Sequence, residues 1–378
     1  MVAADQVSRW TLCVRFCCII LGRVAERNQD FSDGKLMRRQ PKAVDLFCGA
    51  GGLTEGLRQG GYNVIGAVEI EALACRTYRL NHKQVKLWEM DIARLPGSTM
   101  MKALKILPGQ LDLLAACPPC QGFSTMRTKN GARWNRDSRN NLIFDVLRII
   151  RSVKPKSVML ENVPGLAKNW RYVSFRKGLV ALGYRVKWGV LNTVDFAVPQ
   201  RRRRLVLLAS MLGDPEFAPK AFSNRTVRNF IGNLPQPKRS RDPLHNYPTR
   251  RSKKIENLIR KIPSNGGSRM AMGLKYQLPC HKRLEGFRDV YGRMAWDKPS
   301  PTITGGCINP SKGRFLHPRA HRAITLREAA LLQTFPKAYR FPLDKGRYSV
   351  ALLIGNALPP EFIRRQARQV RKILELHL

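Results

Sequence analysis

Short apolar runs, each closed by a turn signal, recur along residues 42–209 and alternate with longer amphipathic stretches. Runs at 42–47, 62–68, 85–88, 111–116, 157–160, 184–191 and 205–209 predict strands. Helices are predicted near Leu53 and at 71–80, 141–152 and 172–182 between them. Such alternation predicts an α/β fold with a doubly wound, mostly parallel sheet over residues 41–210. From about Met211 the alternation stops, and 211–312 reads as a second, smaller, irregular basic domain. Regular character returns at 326–334 and 348–354, so that 313–378 is expected to rejoin the first domain. Residues 1–40 read as a basic extension or an upstream translation start.

One stretch concentrates chemistry. Residues 111–116 empty into Cys117-Pro118-Pro119-Cys120-Gln121-Gly122, where prolines and glycine forbid further strand or helix. A cysteine held on a stiff loop at a strand's carboxyl end sits where α/β proteins place ligands. Cys120 is therefore a candidate nucleophile, and a buried inert thiol in a proline turn is the plain alternative. A zinc or redox pair of Cys117 and Cys120 is a third reading, weakened because no second CxxC or matched histidine pair accompanies it.

Other strand ends add to this picture. Cys48-Gly49-Ala50-Gly51-Gly52 follows the first strand, a glycine turn whose N–H groups can approach a ligand. The spacing is not that of a dinucleotide fingerprint, because Thr54 stands at the third glycine's place. Glu69 closes the second strand, placed to accept hydrogen bonds from ribose hydroxyls, and Asp91 lies just beyond the third. Glycine turn, Glu69 and Asp91 at successive strand ends point to a nucleoside-bearing cofactor.

Charge narrows the partner. The 378 residues carry 68 Lys plus Arg against 26 acids, a net +42, which favours a polyanion such as nucleic acid. Between Lys238 and Lys261 stand nine basic residues and two acids. The basic stretch from Arg127 to Arg139, with Trp134, reads as a loop able to close over a phosphate backbone. Nine cysteines at irregular positions do not form a disulfide framework and suit a reducing cytoplasm. Thr11 to Leu21 is apolar but interrupted by Arg15 and too short to span a bilayer, so no membrane is expected.

Read together, the blocks resemble the DNA (cytosine-5) methyltransferase family. They are DLFCGAGG from Asp45, Glu69, Asp91-Ile92, PPCQGFS from Pro118, ENVPG from Glu161, QRRRR from Gln200, TLREAALLQTFP from Thr325 and GNALPP from Gly355. They stand in the family's order from Lys42 to the C-terminus, leaving out only the middle. The resemblance implies a class I methyltransferase-like sheet with a target-recognition domain at 211–312. It also implies S-adenosylmethionine as methyl donor, no metal, and double-stranded DNA as substrate. A monomer is expected, and a paired restriction endonuclease is a candidate functional partner.

By this resemblance Cys120 adds to carbon 6 of cytosine, turning carbon 5 into a nucleophile. Glu161 meets ring nitrogen 3 as charge builds there, and Arg204 with Arg202 beside it holds the O2 edge. The target base must leave the duplex stack, and residues 121–139 are the expected lid. Around the cofactor, Phe47 lies against adenine, Glu69 meets the ribose hydroxyls and Asp91 approaches the adenine amino group. Gly49, Gly51 and Asn356 border the methionine part, and Ile92 and Pro119 are expected to line the same site. Two positions depart from the family pattern: Leu353, where glutamine is frequent, and Cys117, where a small residue is usual. Neither is expected to touch the chemistry. A tRNA-modifying branch shares the scaffold, but the long basic middle favours duplex DNA. A non-catalytic DNA-binding relative would not need Cys120, Glu161, Arg202, Arg204 and the glycine turn together.

Because the regular pattern begins only at Lys42, residues 1–38 are expected to be dispensable. A chain starting at Arg39 should be soluble and transfer methyl groups; an insoluble or inactive product would assign the extension a role.

Overall fold

The first strand sets the frame. In the computed structural model, which describes residues 39–119, 138–222, 225–273 and 289–377, β1 spans Lys42–Leu46 with Ala43 to Leu46 buried. It pairs in parallel with β2 (Asn63–Glu69) on one side and β4 (Leu113–Ala116) on the other. β3 (Lys86–Glu89) extends the sheet beyond β2, and β5 (Ser157–Asn162) extends it beyond β4. β7 (Arg203–Ser210) enters antiparallel to β5, and β6 (Arg185–Asn192) pairs antiparallel with β7 at the edge. The order is β3-β2-β1-β4-β5-β7-β6, a mostly parallel seven-stranded sheet. Residues from Gln40 onward form one compact unit.

The amino edge of the sheet is clamped by a buried carboxylate. Asp112 Oδ2 accepts from Lys42 N at 2.7 Å, and its Oδ1 accepts from Lys156 Nζ at 2.8 Å. One side chain thus ties together the starts of β1, β4 and β5. A fully buried carboxylate requires such partners, because its desolvation is otherwise costly.

Helices cover both faces, as crossover connections between parallel strands require. α1 (Gly52–Gln59) and α2 (Ala72–Asn81) follow the first two strands, and α3 (Gly97–Leu104) precedes β4. The hydropathy pattern did not predict α3, a short helix that buries only Gly97 and Met100. α4 (Leu142–Val153) buries Ile143, Val146, Leu147 and Ile150 at helical spacing, and α5 (Trp170–Ala181) buries Tyr172, Phe175 and Leu179. Other boundaries lie within one or two residues of those expected from the pattern, the usual latitude of element ends.

The middle of the chain is irregular, as its composition predicts. Among the described residues, 211–312 hold α6 (Val227–Ile231) and α7 (Lys253–Lys261) and no named strand. Irregular backbone leaves carbonyls without ladder partners, and a buried arginine supplies donors to several of them. Arg293, fully buried, donates to Ile259 O at 2.8 Å, Ile262 O at 3.0 Å, His317 O at 3.0 Å and Ala320 O at 2.6 Å. Val227, Ile231, Leu244 and Ile303 share an apolar cluster with α8 (Leu326–Leu332) and α9 (Gly346–Asn356). The middle and the C-terminal segment therefore have a common core.

The last helix returns to the first. α10 (Pro360–Glu375) begins with proline at its first turn, where a missing N–H costs nothing. Its Phe362, Ile363, Ala367 and Val370 pack with Leu53 and Leu57 of α1. Burying a side chain such as Phe362 contributes about 1.5–3 kcal/mol.

Asp45, in the middle of this packing, is fully buried. Its Oδ2 accepts from Thr54 Oγ1 at 2.7 Å, whereas Oδ1 has no partner among the described residues. Burial pushes its carboxyl up from 3.8 to about 7. Between these values the folded chain keeps a proton that the unfolded chain has released, so rising pH destabilises the fold across that window. The slope is at most about 1.4 kcal/mol per pH unit. Asp45→Asn should remove it. Urea unfolding of both proteins at pH 4.5 and pH 8 checks this, and a wild-type-minus-variant difference that stays constant would contradict it.

Candidate active site

The parallel register brings the proposed residues level with one another. Leu46 pairs with Val68 and with Ala116, and Ala116 pairs with Leu160. The next position on each strand is Phe47, Glu69, Cys117 and Glu161. Four side chains from distant parts of the chain thus stand along one rung at the sheet's carboxyl edge. The antiparallel pairing of Glu161 with Val206 puts Arg204 on its diagonal, on the same face.

Glu161 is the most buried of them. It is 3% exposed, and Arg204 Nε lies 2.7 Å from its Oε1. The approach is off the N–H axis, so that Oε1 makes an ion pair but no aligned hydrogen bond. Its other oxygen, Oε2, accepts from Cys117 Sγ at 3.0 Å. The sequence reading placed Cys117 clear of the chemistry; the structure corrects it, because level register on β4 and β5 sets the two side chains against each other. Burial and the neighbouring Glu161 charge raise the Cys117 thiol well above its ordinary range, so it remains a neutral donor.

Arg202 and Arg204 have different surroundings. Arg204 is partly exposed and reaches the cleft beside Glu161. Arg202 is buried, and its Nη1 donates to Ile303 O at 2.9 Å and Gly355 O at 3.0 Å. Burial, with the adjacent Arg204 charge, lowers Arg202 to about 9, which leaves it cationic at neutral pH. Its hydrogen bonds tie the start of the last strand to the middle of the chain at Ile303 and to α9 at Gly355, a tethering role that the sequence reading did not assign. Cys120 and the expected lid through Asp137 lie outside the described residues. The chain leading to Cys120 is held by Asn162, whose Nδ2 donates to Pro118 O at 2.9 Å.

A cleft of about 1430 Å³ runs along this edge. Phe47, Gly49, Glu69, Asp91, Ile92, Pro119 and Asn356 line it together with Glu161, Arg202 and Arg204. Gly51 does not. It takes a left-handed φ of 90° and turns toward Tyr339 and His82, where an added Cβ would sit 2.5 Å from the Tyr339 hydroxyl. Its place is to start α1 against that wall. Phe47 holds φ 63°, a strained conformation for an aromatic residue, as the chain swings from β1 into the glycine turn.

Glu69 works inside the protein as well. Its Oε2 accepts from Gly49 N at 2.8 Å, and its Oε1 accepts from Ile70 N and Glu71 N, both at 2.9 Å. Asp91 Oδ1 accepts from Ala93 N at 3.0 Å. Glu69 Oε1 has both lone pairs taken, but Glu69 Oε2 and the Asp91 oxygens each keep one, so both side chains retain capacity for a ligand. The cleft suits a nucleoside carrying a cationic side chain: Phe47, Val68 and Ile92 give it apolar lining, Glu69 and Asp91 give it carboxylates, and Asn356 lines it as well. Asn356 ends α9, where Gly355 packs so closely on Thr304 and Gly305 that a side chain would collide with their backbone.

Sequence reasoning missed Asn162 and Tyr339 as supports. Tyr339 donates to Ala50 O at 2.6 Å and fixes the glycine turn from the far end of the chain. Only the ENVPG block itself could have drawn attention to Asn162; nothing near Tyr339 signals its part. Among the described residues no cluster of His, Cys, Asp or Glu could hold a metal ion, and no helix is long and apolar enough to cross a membrane.

Comparison with known proteins identifies the family. A model of the C-5 cytosine-specific DNA methylase family matches residues 41–372. The type II methylase M.HgiDII of Herpetosiphon aurantiacus is 34% identical over 351 residues, 88% of this chain and 95% of that protein. The type II methyltransferase M1.HphI of Haemophilus parahaemolyticus is 31% identical over 341 residues, covering 87% of this chain and 86% of its own. In fold the chain is similar to a candidate DNA modification methyltransferase encoded within an E. coli prophage. Its TM-score is 0.69 at 22% identity, with 89% of this chain and all of the other covered. With the match running through every strand of the sheet and on to the last helix, the chain belongs to the C-5 cytosine-specific DNA methylase family.

Proposed function

We propose that this DNA cytosine-5 methyltransferase acts on a specific duplex site through a covalent adduct of Cys120, with Glu161 and Arg204 as its partners at the base. The observation that carries the reading is the rung that places Glu161, Arg204 and the rigid lead to Cys120 beside one cleft. A buried carboxyl beside a guanidinium suits a pyrimidine edge: Glu161 Oε1 lacks an aligned hydrogen bond, and ring nitrogen 3 can supply the partner. Arg204 stabilises negative charge as it develops on the O2 edge. Arg202 holds β7 against the C-terminal segment and so keeps Arg204 and Asn356 in place. A flipped base fits this site, since an in-stack cytosine could not approach a carboxylate as buried as Glu161.

S-adenosylmethionine, when bound, supplies the electrophilic methyl group. Phe47 and Ile92 would flank the adenine, Glu69 and Asp91 would take polar hydrogens of the nucleoside, and Asn356 would border the amino-acid part. Residues 211–312 are assigned to target readout, supported by their excess of basic side chains and their irregular backbone. The type II names of the relatives support a restriction–modification setting with a paired endonuclease, and we assign the protein to the cytoplasm as a monomer. Bisulfite sequencing of plasmid DNA from cells expressing the chain tests the function and reads the target site; uniformly unmethylated plasmid would contradict it.

Glu69→Ala should weaken cofactor binding by about 2–4 kcal/mol, since hydrogen bonds to a charged acceptor are lost. Glu69→Gln, which keeps one oxygen acceptor for the turn, should lose less. Calorimetry with duplex affinity as control checks this, and an unchanged dissociation constant in the alanine variant would remove Glu69 from the cofactor site.

DNA with 5-fluorocytosine at the target should trap the enzyme covalently in the presence of the cofactor. Fluorine cannot leave as a cation, so elimination stalls and the thioether survives denaturing electrophoresis. Cys120→Ser should abolish the shifted band yet still bind DNA, because phosphate contacts remain. A band that persists in Cys120→Ser would reassign the nucleophile.

A further inference from the structure

Cys117 stands where its neighbours leave it little freedom. Its backbone N–H donates to Leu46 O at 3.2 Å, continuing the β1–β4 ladder one step past the last strand residue. The following proline carbonyl is held by Asn162. The thiol is thereby directed at Glu161 Oε2, 3.0 Å away, while Arg204 Nε approaches the opposite oxygen. Thiol and guanidinium bracket the carboxyl from β4 and β7, and no other described side chain donates to it. Among the described residues, the charged and titratable groups around it are Arg204 on β7, Arg202 just before that strand and Cys117 after β4, and Asp45 on β1 acts on the thiol.

We propose that Cys117 is a positioning residue for methyl transfer: its thiol hydrogen-bonds Glu161 Oε2, fixes the plane of the carboxyl and leaves Oε1 to face the base. The inference rests on the proposed role of Glu161 and adds to it a contact that a glycine or alanine here would lack, since neither offers a side-chain donor. A carboxyl 3% exposed and stripped of one donor would be free to turn about its terminal bond, away from the base. The thiol remains protonated because burial and the Glu161 charge oppose its ionisation, so it acts as a donor throughout the working pH range.

Three substitutions separate the hydrogen bond from the volume. Cys117→Ser keeps a donor, Cys117→Val keeps the bulk without one, and Cys117→Ala removes both. Serine is expected to retain kcat within about threefold, and valine and alanine to lose about tenfold. KM for duplex DNA and for S-adenosylmethionine should change little in all three. If the valine variant does not fold, alanine takes its place against serine. Equal kcat for the donor and non-donor variants would overturn the proposal. A second readout needs no turnover: at one fixed pH the carbon-13 NMR shift of the Glu161 carboxyl in the protein alone should be alike in wild type and serine and differ in valine and alanine. A wild-type protein that fails to methylate DNA would sink the functional reading, while the NMR comparison would still decide the contact. Identical carboxyl shifts in donor and non-donor variants would overturn it.

Discussion

Hydrogen-bonded register is the constraint on which the site depends. Parallel pairing of β1 with β2 and β4, and of β4 with β5, allows no choice in which residues emerge level at the carboxyl edge. A slip of one residue on β5 would turn Glu161 to the other face and put a different side chain beside Arg204. Asp112 guards against that slip at the opposite edge, where its buried carboxylate joins the starts of three strands. The precision of the cleft is thus set by backbone ladders and one clamp far from the chemistry.

The reversal of β7 matters as much. A parallel strand in its place would bring its amino end to the far edge, away from the cleft. Running antiparallel to β5, it delivers its opening residues Arg203 and Arg204 to the carboxyl edge, with Arg202 just before them. The arginine beside Glu161 and the arginine that grips Ile303 and Gly355 therefore come from one short run, two residues apart. Alternate residues of an extended segment share a face, yet their depth differs, and depth decides which binds carbonyls and which reaches the cleft.

The large positive charge has more than one use. Part of it lies on surfaces suited to a polyanion, but some arginines are internal donors. Arg293 joins segments from Ile259 to Ala320, and Arg314 Nη1 donates to Gly266 O at 2.9 Å and Arg293 O at 3.0 Å. In a region with little ladder pairing, a guanidinium with five donors replaces hydrogen bonds that a strand would have made. Counting charge alone would have assigned all of it to nucleic acid.

The sequence by itself determined the sheet, most of its helices and the family, because alternating apolar runs and ordered blocks are local signals. It also marked Glu69, Asp91, Glu161 and Asn356, since each sits in a block whose residue types imply chemistry. It could not separate Arg202 from Arg204, as burial depends on what packs above them. Nor could it show that Gly51 faces Tyr339, a residue 288 positions later (339 − 51), or that α3 forms, with so small a buried face. Cys117 is the clearest case. Three residues from the candidate nucleophile, it reads as a neutral departure from the family pattern. Only the β4–β5 register, a long-range backbone decision, sets its thiol on Glu161.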